Sequence, residues 1–275
     1  NSLFEDKVIR FKYYPFPRIM EDKGDILKKI NLHLRAAVKK RVTSTERPIA
    51  CLLSGGLDSS LITSLVCSYF DDPSKLETYS IGLPGSVDLQ YAKKVADFLG
   101  TNHTSIIVQE EDFLAAIPEV IEAIESYDTT TVRASVGNYL VAKYIKEHSE
   151  AKVIFNGDGS DEVTGGYLYF HKAPSPDEFD KECRRLLKDI HTFDVLRSDK
   201  SISSNGLEPR TPFLDKEFVD MYMSIPLEFR FHAGKNQCDG QGHRLCAPLS
   251  RVAVTHQSGW RACSASSAAF RLCRE

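Results

Sequence analysis

The chain has 275 residues, enough for one large α/β domain with appendages or for two small domains. Its 42% hydrophobic and 27% charged residues are ordinary for a soluble globular protein. A formal net charge of −3 offers nucleic acid no basic field, and no apolar run approaches the roughly 18 residues that span a bilayer.

The N-terminus lacks a charged segment followed by an apolar one, so it does not read as a secretory signal, and its first residue, Asn1, suggests a processed or partial chain. Cys51, Cys67 and Cys183 fall in periodic apolar segments, where a reduced cysteine behaves as a small hydrophobe. Cys238, Cys246, Cys263 and Cys273 all lie in the last 38 residues. Seven cysteines without a short secreted context point to a reducing compartment, here the cytoplasm, which makes the sequon Asn102-His103-Thr104 a chance match.

Residues 1–25 read as a connector, with Tyr13-Tyr14-Pro15-Phe16-Pro17 extended. Ile26, Ile30, Leu34, Ala37 and Val38 then form a helical apolar stripe. Pro48 to Leu53 suits a buried parallel strand, and Leu61 to Phe70 a helix. A second strand is predicted over Thr78 to Leu83, then a helix over Leu89 to Leu99 capped by Asp88 and ended by Gly100. A third strand follows over Thr104 to Val108. Helices are predicted over Phe113 to Ser126 and Val136 to His148, then a short fourth strand over Lys152 to Phe155. Phe179, Cys183, Leu186, Leu187 and Ile190 mark a mostly helical continuation to about Ile225. Alternation of strands with helices predicts an α/β fold, a doubly wound parallel sheet with a helical C-terminal extension. From about Gly234 no periodic pattern persists, so residues 234–275 read as a divergent, poorly ordered tail.

The first predicted strand runs into Ser54-Gly55-Gly56-Leu57-Asp58-Ser59-Ser60 and then a helix. Glycines let backbone amides approach an anion closely, and a helix N-terminus adds donors and a favourable dipole. Asp58 is misplaced beside phosphates unless a cation lies between, and Mg²⁺ is the natural choice. A plain Ser/Gly turn is the bland alternative, and the complete string is more specific than that. It resembles the PP-loop of the ATP pyrophosphatases, which cleave ATP between the α and β phosphates.

A second loop, Asn156-Gly157-Asp158-Gly159-Ser160-Asp161-Glu162, follows the fourth predicted strand and should emerge at the same sheet edge. Three acids within five residues repel one another unless they serve cations or are protonated; a solvated acidic turn is the alternative. Gly165 to Pro174 follows at once. With Ile81 to Ser86, Tyr127 to Ser135, Phe193 to Arg197 and Pro212 to Asp215, it resembles the synthetase domain of asparagine synthetases, over roughly Ile26 to Arg230.

That resemblance implies adenylation of the aspartate side chain by ATP, then amidation by ammonia. It implies that Leu52, Ser54, Gly55, Gly56, Asp58, Ser59, Ile81, Asn156 and Gly157 bind ATP, with Asp58 and Asp161 on Mg²⁺. Glu162, Asp194 and Arg197 would hold aspartate, whose ammonium and carboxylate their charges suit. Asp158 takes the catalytic position where many members carry Glu, and the retained carboxylate implies retained function. Residues 26–233 would form this domain, and 1–25 the connector from a glutaminase domain that supplies ammonia. A homodimer is a candidate assembly. Neither nucleic acid nor membrane is an expected partner. The resemblance stops after about Phe231, and the family's Lys-Glu-x-Phe-Ser-Asp-Gly stretch is absent. A β-lactam synthetase-like ligase and an ATP-binding fragment without turnover are the alternatives.

Overall fold

The computed structural model describes residues 22–231 and the backbone of 261–265 and 269–273. Helix α1 (Lys23–Val42) starts at Asp22, whose carboxylate accepts the N–H groups of Gly24 and Asp25 at 2.6 and 3.0 Å. Its buried stripe is Ile26, Ile30, Leu34, Ala37 and Val38, the predicted one. Chain order continues with β1 (Ile49–Leu52), α2 (Leu57–Cys67), β2 (Glu77–Gly82), α3 (Val87–Leu99) and β3 (Asn102–Ile107). After α4 (Glu110–Ala115), α5 (Ile117–Ile124) and α6 (Thr129–His148) come β4 (Val153–Phe155), α7 (Ser160–Thr164) and α8 (Pro176–Asp189). The domain closes with α9 (Asp194–Ser203), β5 (Glu208–Arg210), α10 (Lys216–Met223) and α11 (Leu227–Arg230).

The sheet runs in the order β3-β2-β1-β4-β5 with every pair parallel. Strands β1 and β4 are central, and their side chains alternate between two cores. Cys51, Val153 and Phe155 pack with residues of α1, α2 and α10 such as Leu34, Leu65 and Phe218, whereas Ala50 and Ile154 pack with Val141, Ile145 and Ile202 from α6 and α9. A two-faced burial of this kind explains why the strands are short and almost wholly apolar. The order reverses between β1 and β4, the topological switch point at which an open parallel sheet leaves a crevice beyond its carboxyl edge.

Four local expectations change. The single helix predicted over Phe113 to Ser126 is two, α4 and α5, because Pro118 cannot donate to a continuing helix and crowds the preceding turn. Ser86, not Asp88, occupies the position before α3, and Asp88 sits in the first turn; Gly100 does end that helix, in the left-handed conformation at φ 74°. Helix α6 begins at Thr129, well before Val136, because Asp128 accepts the Thr131 N–H at 2.8 Å and caps it there. The continuation read as mostly helical also contains β5, an edge strand in which Pro209 is tolerated. Most of the segment from Gly234, and the connector before residue 22, fall outside the described residues. Within the tail, β6 (Arg261–Ala265) and β7 (Ala269–Cys273) pair antiparallel.

Candidate active site

The loop after β1 is pulled tight by its own hydroxyls. Ser54 N–H donates to Ser59 Oγ at 3.2 Å, the two hydroxyls lie 2.9 Å apart, and Gly56 N–H donates to Ser54 Oγ at 3.3 Å. Gly55 adopts φ 80°, and a Cβ there would come within 2.5 Å of the Ala92 backbone nitrogen, so this loop can rest on α3 only as glycine. Helix α2 then begins with no side-chain cap on Gly56, which leaves its first N–H groups available to an anion.

The loop after β4 lies directly against it. A Cβ on Gly157 would meet Ser59 N at 2.8 Å and Asp58 carbon atoms at 3.0 and 3.1 Å. The two motifs, about 100 residues apart in the chain, thus share one wall. They line a cleft of about 390 Å³ with Leu52, Ser54, Asp58, Ser59, Asn156, Gly157, Asp158, Asp161 and Glu162, joined by Asp194 and Arg197 from α9. A wider groove of about 560 Å³ over α8, lined by Tyr169, Lys181 and Arg185, contains none of these residues.

Charge in the cleft is unbalanced. Burial pushes Asp58 up to about 6, with repulsion from Glu162 and Asp158 adding to it. Asp161 rises to about 7 through burial and the charges of Asp58, Asp194 and Asp158. Glu162, 1% exposed, is raised to about 7 by burial and Asp194, although it accepts the Tyr167 hydroxyl hydrogen. Burial and Asp194 raise Asp158 to about 6 against the opposing effects of the Ser198 hydroxyl and Arg197. Arg197 is the one cationic side chain among the described residues lining the cleft. It donates to Asp194 Oδ1, while Gly159 N–H donates to Asp194 Oδ2 at 3.2 Å.

Such a cleft is a poor host for a polyphosphate on its own and a good one for a polyphosphate bearing a cation. Asp58 Oδ1 is enclosed by protein and has no hydrogen-bond partner. Together with Asp161, which feels its charge, it makes a two-carboxylate donor set of the kind Mg²⁺ shares with substrate phosphates.

Of the residues singled out from sequence, Gly55, Gly56 and Ile81 do not line the cleft. Gly55 and Gly56 instead shape the first loop, and Ile81 sits near Gly137 of α6, on the face of the sheet that α6 covers. The cleft also contains Asn138, Gly159, Ser160 and Tyr167. Tyr167 lay inside a stretch already noted, but Asn138 sits beyond the quoted Tyr127 to Ser135 run and carries no local signal. Ser198, beside Asn156, follows the noted Phe193 to Arg197 run by a single residue.

The family model described as "Asparagine synthase" matches residues 29–177 and 172–237. Curated proteins named asparagine synthetase [glutamine-hydrolyzing] from Rattus norvegicus, Homo sapiens and Gallus gallus are each 49% identical over 197 residues, or 70% of this chain. The match covers 35% of each relative, so the chain spans about a third of their length. The matched residues carry both loops, the cleft between them and the Asp194–Arg197 pair, and the chain belongs to the asparagine synthase family.

Proposed function

We propose that this chain makes asparagine from aspartate, ATP and ammonia. The observation that carries the reading is the convergence of the Ser54–Ser60 loop, the Asp158–Glu162 loop and the Asp194–Arg197 pair on one cleft, in a member of this family. ATP lies with its phosphates on the first loop and the α2 N-terminus. Asp58 and Asp161 would hold Mg²⁺, which would neutralise phosphate charge. Arg197 grips the α-carboxylate of aspartate, and Glu162 with Asp194 receives its ammonium.

The side-chain carboxylate oxygen of aspartate attacks the α-phosphorus. The new O–P bond forms as the bond to the bridging oxygen breaks, and pyrophosphate leaves with that electron pair. Ammonia then attacks the activated carbonyl carbon. The C–O bond breaks, AMP leaves, and Asp158, ionised above its pKa of about 6, accepts the proton lost by nitrogen. A hollow of about 60 Å³ lined by Asp158, Asp194, Ser198, Asp199 and Thr211 offers ammonia-sized room beside that base.

Cys51, Cys67 and Cys183 are buried and unbridged, which supports a cytoplasmic setting. No described helix is long and apolar enough to cross a membrane. Exchange of labelled pyrophosphate into ATP, measured with and without aspartate and Mg²⁺, tests the first half of the reaction. Mass analysis of product with ammonia tests the second. Exchange that ignores aspartate, or is absent while ATP binds, would refute the assignment.

A further inference from the structure

Asn156 has its side-chain hydrogens engaged inside the protein. It is 4% exposed, and Nδ2 donates to Asp158 Oδ2 at 2.8 Å and to Ser198 Oγ at 2.8 Å. Its Oδ1 accepts the Asp158 N–H at 3.3 Å. The amide orientation follows from chemistry, because the reverse would set a carbonyl oxygen against a carboxylate and an NH₂ against an N–H. The backbone is anchored too: Asn156 N–H donates to the Arg210 carbonyl of β5 at 3.2 Å. Ser198, 3% exposed, stands on α9, so the end of β4, an edge strand and a helix all converge on one residue.

We propose that Asn156, with Ser198, is a positioning residue that fixes the Asp158 carboxylate, and that its side chain does not bind ATP. This rests on reading Asp158 as the base that receives the proton from ammonia. Holding Oδ2 sets the plane of the carboxylate and therefore the place of its other oxygen. That matters because proton transfer needs contact within hydrogen-bond reach. The charged groups around Asp158 cannot do this work by attraction alone. Asp194 of α9, Asp58 of α2 and Asp161 of α7 repel it, and Arg197, the cation that attracts it, is engaged by Asp194.

The test compares Asn156→Ala and Ser198→Ala in the full chain, supplied with Mg²⁺, ATP, aspartate and ammonia. Asn156→Ala lowers kcat roughly ten- to a hundred-fold, the equivalent of one hydrogen bond to a charged group, while KM for ATP stays within about two-fold. In an Asp158→Ala background the same change costs less than about two-fold more, because the group it positions is gone. Full additivity, or a KM for ATP that rises as far as kcat falls, overturns the proposal. A readout without turnover separates this inference from the assigned reaction. The Asn156 side-chain amide protons, followed by ¹H–¹⁵N NMR, move upfield and exchange faster in Asp158→Ala. Resonances that ignore Asp158→Ala overturn the positioning role even in an active enzyme. An amide response to Asp158→Ala, combined with no aspartate-dependent exchange in the wild-type chain, would sustain the positioning role while the reaction assignment falls. Should Asn156→Ala not fold, Asn156→Ser and Ser198→Ala carry the same measurements.

Discussion

Replacing Gly157 by alanine isolates the contact between the two loops. The backbone there is not in the left-handed region, so alanine meets no conformational strain and its effect is steric. The added methyl would sit 2.8 Å from Ser59 N and about as close to the Asp58 backbone, where ordinary contact begins at 3.4 Å. The neighbours are main-chain atoms of the α2 N-terminus and cannot swing aside as a side-chain tip can. The loops must therefore part by roughly half an ångström, at a stability cost of about 1–3 kcal/mol for an overpacked site. Activity should fall further than stability. The wall that opens carries Asp58 on one side and Asp158 and Asp161 on the other, and misplacement approaching 1 Å costs roughly a hundred-fold in rate. Urea denaturation gives the first quantity and aspartate-dependent pyrophosphate exchange the second. A Gly157→Ala chain with unchanged exchange and an unchanged denaturation midpoint would show that the loops do not touch as described.

Gly166→Ala should act differently, because its Cβ would fall 2.0 Å from Asp161 Oδ1, the free end of a side chain that can rotate. The expected result is near-normal stability, within about 1 kcal/mol, with a several-fold higher Mg²⁺ requirement in the exchange assay. Arg197→Lys should raise KM for aspartate at least about ten-fold and leave KM for ATP unchanged, since an ammonium cannot reproduce a bidentate grip. Because Asp161 and Glu162 are raised to about 7 in the folded state, that state binds more protons than the unfolded chain between roughly pH 4 and 7. The ligand-free protein should lose stability from this cluster as pH rises through that window. Asp161→Asn should flatten the loss and stabilise the chain at pH 7.5 by roughly 1–3 kcal/mol in a melting experiment. His103 works in the opposite sense. Half-buried against Thr78, Ser80 and Ser105, it is lowered to about 4 by that burial, so its contribution is full above the ordinary histidine pKa and lost as pH falls toward 4. His103→Gln should remove that acid-side slope.

The alternation of strand and helix, the α1 stripe and the phosphate loop were legible because each is written in residues close together in the chain. Apolar periodicity needs only a dozen neighbours, and a strand–glycine–helix junction needs fewer. The break at Pro118 was legible in principle too, and the apolar run around it concealed it. Strand β5 had no such signal. Glu208-Pro209-Arg210 has neither alternation nor β-branched residues, and it is a strand because β4 presents a free edge to it.

By itself the sequence determined which chemistry the cleft could hold: glycines and hydroxyls for phosphate, carboxylates for a cation, and an acid–arginine pair for an amino acid. Tertiary structure decided the rest. Only the order β3-β2-β1-β4-β5 sets the end of β1 beside the end of β4. That adjacency packs Gly157 onto Ser59 and buries one Asp58 oxygen without a partner. It also lets Glu162 and Asp158 raise the pKa of Asp58, and Asp58 and Asp158 that of Asp161. Asn156, a nucleotide residue on resemblance, has its amide engaged by Asp158 and by Ser198 of α9, 42 positions further along the chain. Repulsion, close approach and hydrogen bonding depend on distance through space, and local pattern carries no distance between segments about 100 residues apart.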